Sequence, residues 1–116
     1  MKRKFRLTSA TDFKRVRRFG KSYAHPLIVL IIQPGELTFS RFGVSAGRSV
    51  GNAVRRNRAK RQIREIIRPL IPEIQLGWDI VILARSAIAQ ANYQEIDTAI
   101  NELLRRANLL LDQNVH

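Results

Sequence analysis

The sequence predicts an α+β protein, an α/β sandwich with helices packed on a small mixed sheet. Three observations carry this expectation. Two runs, PLIVLIIQ at 26–33 and WDIVILAR at 78–85, are apolar on both faces and rich in β-branched residues, as buried central strands are. Two longer segments, 53–68 and 93–111, repeat apolar residues at helical spacing. The order helix, strands, helix, strand, helix layers helices on a sheet.

Residues 1–8 form a basic arm, expected to be flexible. Ser9, with Asp12 three residues on, signals a helix from Thr8 or Ser9 to about Arg18, and Gly20 suits its C-terminal cap. Phe13, Val16 and Phe19 are its apolar positions. Ser22–Ala24 forms a short strand before Pro26. PGE at 34–36 is a turn, so 26–33 and LTFSRFGVSA at 37–46 should pair as an antiparallel hairpin. Alternation places Phe42, Val44 and Ala46 on one face, and Phe39, Arg41, Gly43 and Ser45 on the other. GRSVGN at 47–52 is a loop ending in Asn52, a suitable N-cap for the next helix. Pro69 disfavours helical geometry at Arg68, so the helix should end or kink there. A connector leads to the strand at 78–85. Asn92 and Glu95 stand at capping-box spacing before a last helix over Tyr93 to Leu111. Its buried face is Ile96, Ile100, Leu103, Leu104, Ala107, Leu110 and Leu111.

The 116 residues suit one domain, 1–116, large enough to bury a core without staples. Cysteine is absent, which excludes a disulfide framework and thiolate metal sites and fits a reducing compartment. The longest apolar run, Leu27 to Ile32, is too short to span a bilayer, and no apolar signal core follows the basic start. The expected location is the cytoplasm, with no membrane partner.

The net charge of +12 is concentrated. Residues 1–68 hold 18 of the 21 Lys and Arg against three acids. Such a one-sided field calls for a polyanion. The densest stretch is GNAVRRNRAKRQIREIIR at 51–68, with seven cations opposed by Glu65 alone. On a helix, Ala59, Ile63, Ile66, Ile67 and Leu70 share one side. Asn57, Arg61, Arg64 and Arg68 share the other, flanked by Arg58 and Lys60. The cationic stripe runs about 16 Å, enough to follow several phosphates. Repulsion costs a few tenths of a kcal/mol per pair, roughly, whereas each buried aliphatic contributes about 1.5–3 kcal/mol. The helix therefore forms without its partner. Arginine outnumbers lysine six to one here, and its planar fork suits phosphate and stacks on bases.

No catalytic constellation accompanies these charges. His25 and His116 share no metal or triad spacing, and the acids form no pair for acid–base work. Gly43, Gly47 and Gly51 fit neither a P-loop nor a dinucleotide fingerprint. Composition alone suits an RNA-binding subunit of a ribonucleoprotein enzyme and a non-enzymatic RNA-binding protein equally. A self-sufficient nuclease is disfavoured.

RFGVSAGRSVGNAVRRNRAKRQIRE at 41–65 resembles the signature of the protein subunit of bacterial ribonuclease P. Gly43-Val44-Ser45, Gly51-Asn52-Ala53-Val54, Arg56-Asn57-Arg58, Lys60-Arg61 and Arg64-Glu65 carry the likeness. Asp12-Phe13, and Trp78-Asp79-Ile80-Val81 leading to Ala84-Arg85, extend it over nearly the whole chain. The resemblance implies a partner, the catalytic ribonuclease P RNA, one protein to each RNA, that removes the 5′ leader of precursor tRNA using Mg²⁺ held with the RNA. It implies a left-handed strand–helix–strand crossover through the motif. It implies that Arg56, Asn57, Arg58, Lys60, Arg61 and Arg64 face that RNA, to which the helical stripe adds Arg68. Phe13, Ser45 and Arg48 match the family's leader cleft. Arg17 stands where some members place a second aromatic, and Ile31 where some place a tyrosine. Phe39 and Arg41, read as sharing the Ser45 face, complete the expected cleft.

Overall fold

The computed structural model describes residues 2–111. Its elements are α1 (Ala10–Phe19), β1 (Lys21–Ala24), β2 (Ile28–Pro34), β3 (Arg41–Ala46), α2 (Ala53–Ile67), β4 (Trp78–Ala84) and α3 (Tyr93–Arg106). The sheet order is β1-β2-β4-β3. β1 pairs antiparallel with β2, β2 antiparallel with β4, and β3 parallel with β4. The fold is thus α+β with a mixed sheet, as expected, and α2 links the parallel pair.

The expected hairpin between 26–33 and 37–46 does not form. β4 lies between these strands. The reason is burial: β2 and β4 are the two runs apolar on both faces, so each needs a neighbour on either edge and helices on either side. The third strand carries Arg41, Gly43 and Ser45 on one face and belongs at an edge. It is also shorter than expected, beginning at Arg41. Ser40 precedes it as a buried link, its Oγ accepting from Trp78 N at 3.0 Å and donating to the Gln75 carbonyl at 2.7 Å.

The register sorts side chains into two faces. Ile32–Ile80–Phe42 and Leu30–Ile82–Val44 line one face. They form the larger core with Ala59, Ile63, Ile66 and Ile67 of α2 and Ile96, Ile100, Leu103 and Leu104 of α3. α1 covers the other face, where Val16 meets Ile31, Val81 and Leu7. Leu7 belongs to the expected flexible arm. Instead, its N–H donates to the Phe42 carbonyl at 2.8 Å, and Arg6 bridges Phe42 in parallel. The apolar Leu7 side chain, 2% exposed, draws the segment against the free edge of β3.

The caps behave as the sequence suggests. Ser9 accepts from Asp12 N, Asn52 from Arg55 N, and Asn92 and Glu95 form a reciprocal capping box. α3, however, stops at Arg106, short of Leu111. Asn108 adopts φ 60, and bonds from Leu109 N to Leu104 O and from Asn108 N to Arg105 O close a Schellman turn. Leu109 is thereby buried, whereas Leu111 is exposed. Phe19, expected on the apolar side of α1, is 67% exposed. His25 Nδ1 accepts from Leu27 N in the β1–β2 turn, a structural role. His116 lies outside the described residues.

Candidate nucleic-acid interface

α2 projects its cations as the helical pattern requires. Ala59, Ile63, Ile66 and Ile67 are buried, while Asn57, Arg58, Arg61, Arg64 and Arg68 are exposed. None of the seven cations from Arg55 to Arg68 forms an ion pair or side-chain hydrogen bond among the described residues. Glu65, the only acid of the helix, pairs with none of them. The face is therefore unneutralised by protein, and counterions must occupy it until a polyanion displaces them.

The helix presents this charge in three directions. Arg61 and Arg68 point away from the core with Asn57. Arg56, Lys60 and Arg64 recur at four-residue steps along the flank toward β3, which accounts for the half-burial of Arg56 and Lys60. Arg58 leans to the opposite flank with Arg55 and Gln62.

The second surface lies beside α1. Three rows cross this face of the sheet: Gln33–Asp79–Arg41, then Ser22–Ile31–Val81–Gly43, then Ala24–Val29–Leu83–Ser45. α1 lies over the middle row, where Phe13 sits against Gly43. A Cβ at Gly43 would stand 2.5 Å from Phe13 Cζ, so only glycine lets the ring approach this closely. The last row remains half-open, with Val29, Leu83 and Ser45 as its floor. Arg17 follows Phe13 by one turn on the same side of α1 and is exposed. Arg48 follows β3, also exposed, in the short turn Arg48–Val50. Phe13 and Arg17 of α1, Ser45 of β3 and Arg48 just after it are thus all at least partly open to solvent, and Ser45 lies on the sheet face that α1 covers. Ile31 is buried beneath α1 and offers the expected cleft nothing.

Two residues expected here lie elsewhere. Arg41 shares the sheet face but falls in the row on the far side of α1. Its Nε and one terminal nitrogen each lie 3.1 Å from the two oxygens of Asp79, and the other terminal nitrogen lies 3.6 Å from Asp12. Arg15 joins the cluster, 2.7 Å from Asp79, 3.1 Å from Asp12 and hydrogen-bonded to Gln33. Burial pushes the Asp79 carboxyl up, but the hydrogen bonds and charges of Arg41 and Arg15 outweigh it and hold the pKa below its ordinary value. Arg41 is consequently an anchor for α1. Phe39 precedes β3 and packs edge-on against Phe5, at 5.8 Å between centroids, with Lys4 over both rings. Strand alternation therefore never governs it.

The two surfaces meet. A depression of about 180 Å³ at the β3 edge is lined by Arg64 from α2, Phe13 from α1 and Arg6, Leu7 and Thr8 from the N-terminal segment. Because β3 is the edge strand, this hollow connects the α2 side of the sheet with the α1 side. Sequence reasoning missed Arg6, which the arm's docking brings here. It also missed Val29 and Leu83, hidden within runs that read as wholly buried.

No helix among the described residues is long and apolar enough to cross a membrane. No group of three or more His, Asp or Glu that could hold a metal occurs among them.

Comparison with known proteins places these features in one context. The family model described as Ribonuclease P matches residues 1–108. The ribonuclease P protein component of Herpetosiphon aurantiacus is 40% identical over 113 residues, 97% of this chain and 92% of that protein. That of Clostridioides difficile is 38% identical over 104 residues, 89% of this chain and 91% of its own length. The RNase P protein of Staphylococcus aureus superposes with a TM-score of 0.85 at 30% identity, covering 91% of this chain and 97% of that one. The RNase P protein of Thermotoga maritima gives 0.79 at 30% identity, covering 87% and 96%.

Proposed function

The chain belongs to the ribonuclease P protein family, a subunit of a ribonucleoprotein endoribonuclease of tRNA processing, and on that premise we propose that α2 grips the catalytic RNA while the groove beside α1 holds the 5′ leader of precursor tRNA. The observation that carries this reading is the hollow where Arg64 and Phe13 meet. Its lining by one residue of the cationic stripe and one of the proposed leader site supports a reading in which two RNA segments are held side by side round the β3 edge.

The residues divide the work. Arg58, Arg61, Arg64 and Arg68, with Asn57, Lys60 and Arg56 beside them, contact phosphates of folded RNA and release its counterions. Phe13 stacks a leader base against the Val29–Leu83 floor, and Arg17, Arg48 and Ser45 hold the flanking backbone. Stacking tolerates any base, which suits leaders of varied sequence.

Hydrolysis, which leaves a 5′ phosphate on the tRNA, falls to the RNA. It needs Mg²⁺ to polarise the phosphate and activate water. Among the described residues Asp12 and Asp79 stand close together, but both are engaged by Arg15 and Arg41 and make poor metal ligands. In this reading the metal is held with RNA phosphates, and the protein's contribution is positioning. One protein per catalytic RNA, acting in the cytoplasm, completes the reading.

The test is cleavage of precursor tRNA at low millimolar Mg²⁺ by the protein alone, by bacterial ribonuclease P RNA alone, and by both. Cleavage in the combined reaction only supports the proposal. No stimulation by protein would favour a plain RNA-binding role, and cleavage by protein alone would assign it the chemistry.

A further inference from the structure

A second cavity opens on the flank of α2 away from β3. It encloses about 330 Å³ between the first half of α2 and the 3-10 turn Ser86–Gln90, at the small end of the ~300–1,000 Å³ of ligand clefts. Arg55, Arg58 and Gln62 recur at three- and four-residue spacing and form one wall, with Gln90 opposite. Ala59 and Ile88, both buried, supply an apolar floor.

The polar groups here are uncommitted. The side chains of Arg55, Arg58, Gln62 and Gln90 make no hydrogen bond or ion pair among the described residues. Arg55 is nonetheless held in place. A Cβ at Gly51 would lie 2.7 Å from Arg55 Cδ, and Gly51 has φ 139, so the arginine stem rests on backbone that only glycine leaves bare.

The mixture of groups selects the ligand. Two guanidinium groups match the oxygens of a phosphate. Two amides each donate and accept, which matches the mixed edge of a nucleobase, whereas a bare anion would use their N–H donors and leave both carbonyls without a partner. The Ile88–Ala59 floor suits the flat face of a ring. Within a duplex that base edge is hidden, so the base must be unpaired. We propose that this cavity binds one unpaired nucleotide of the RNA partner, with its phosphate on Arg55 and Arg58 and its base edge on Gln62 and Gln90. The inference rests on the RNA-binding reading above and adds a base-reading site to it. The nucleotide belongs either to the catalytic RNA or to precursor tRNA.

Two variants test it. Gln62→Ala with Gln90→Ala removes the amides and changes no charge. Gln90→Cys, in a chain with no cysteine of its own, accepts a photoactivatable benzophenone. The double variant should bind one of the two RNAs about tenfold more weakly, the loss of one or two hydrogen bonds, with an unchanged salt slope. The cross-link should map to one unpaired nucleotide of that same RNA, which identifies the source. Affinity within about twofold of wild type for both RNAs, while Arg61→Glu with Arg64→Glu still weakens binding to the catalytic RNA, would overturn the pocket and leave the α2 stripe standing. Cross-links confined to duplex would also overturn it. Failure of the wild type to bind either RNA would remove the pocket together with the reading it rests on.

Discussion

Replacing Asp79 with alanine should loosen α1 from the sheet. The residue is 2% exposed and accepts three charge-assisted bonds, one from Arg15 at 2.7 Å and two from Arg41 at 3.1 Å. Removing one partner of a buried pair costs about 3–5 kcal/mol, because the remaining charges lose their compensation. Here the Arg15 and Arg41 side chains keep 33% and 23% of their surface in solvent, which softens the loss to about 2–3 kcal/mol. Urea unfolding measures this directly as a lowered midpoint. The pH dependence adds a second signature. Asp79 has a folded-state pKa below its unfolded value of 3.8, so its contribution is complete above that value and disappears as pH falls through the folded one. Wild type should therefore lose stability below about pH 4 more steeply than Asp79→Ala. A variant within about 0.5 kcal/mol of wild type, with the same acid limb, would refute the anchoring role.

Three other expectations follow from the geometry. Phe13→Ala should weaken precursor tRNA more than mature tRNA in binding to the reconstituted enzyme, and equal losses would count against the leader groove. Gly43→Ala should push the Phe13 ring aside, costing about 1–3 kcal/mol in unfolding assays and lowering the same precursor-over-mature preference. Asn52→Ala should remove the α2 cap and lower stability by about 1 kcal/mol, read as a reduced Tm.

The basic helix was legible in the sequence because everything that defines it is local. Asn52 caps it, and the aliphatic positions repeat at its own period; at Pro69 the expectation fails in part, since Arg68 keeps helical geometry and the chain runs on as a 3-10 helix over Arg68–Glu73. The resemblance then supplied the pairing of functions that no periodicity contains. Strand order was not legible. PLIVLIIQ and WDIVILAR both read as central, but adjacency in sequence favoured a hairpin between β2 and β3. That the two most apolar runs must touch is a demand of the whole sheet. Arg41 was misplaced for a similar reason: its face was right, but its partner Asp79 is distant in sequence. Leu7 and Phe5 show the same limit, since a charged terminus hides the apolar residues that dock it. Asn108 ended α3 early through a left-handed residue, which an apolar pattern continuing to Leu111 conceals.

The most direct measurement is the affinity of wild type and of Arg61→Ala with Arg64→Ala for ribonuclease P RNA across a series of salt concentrations. If these side chains neutralise phosphates, the slope of log affinity against log salt should flatten by about 2 units, roughly one for each lost phosphate contact, while unfolding midpoints stay close to wild type. An unchanged slope and affinity, with the fold intact, would mean that the exposed face of α2 does not hold the RNA.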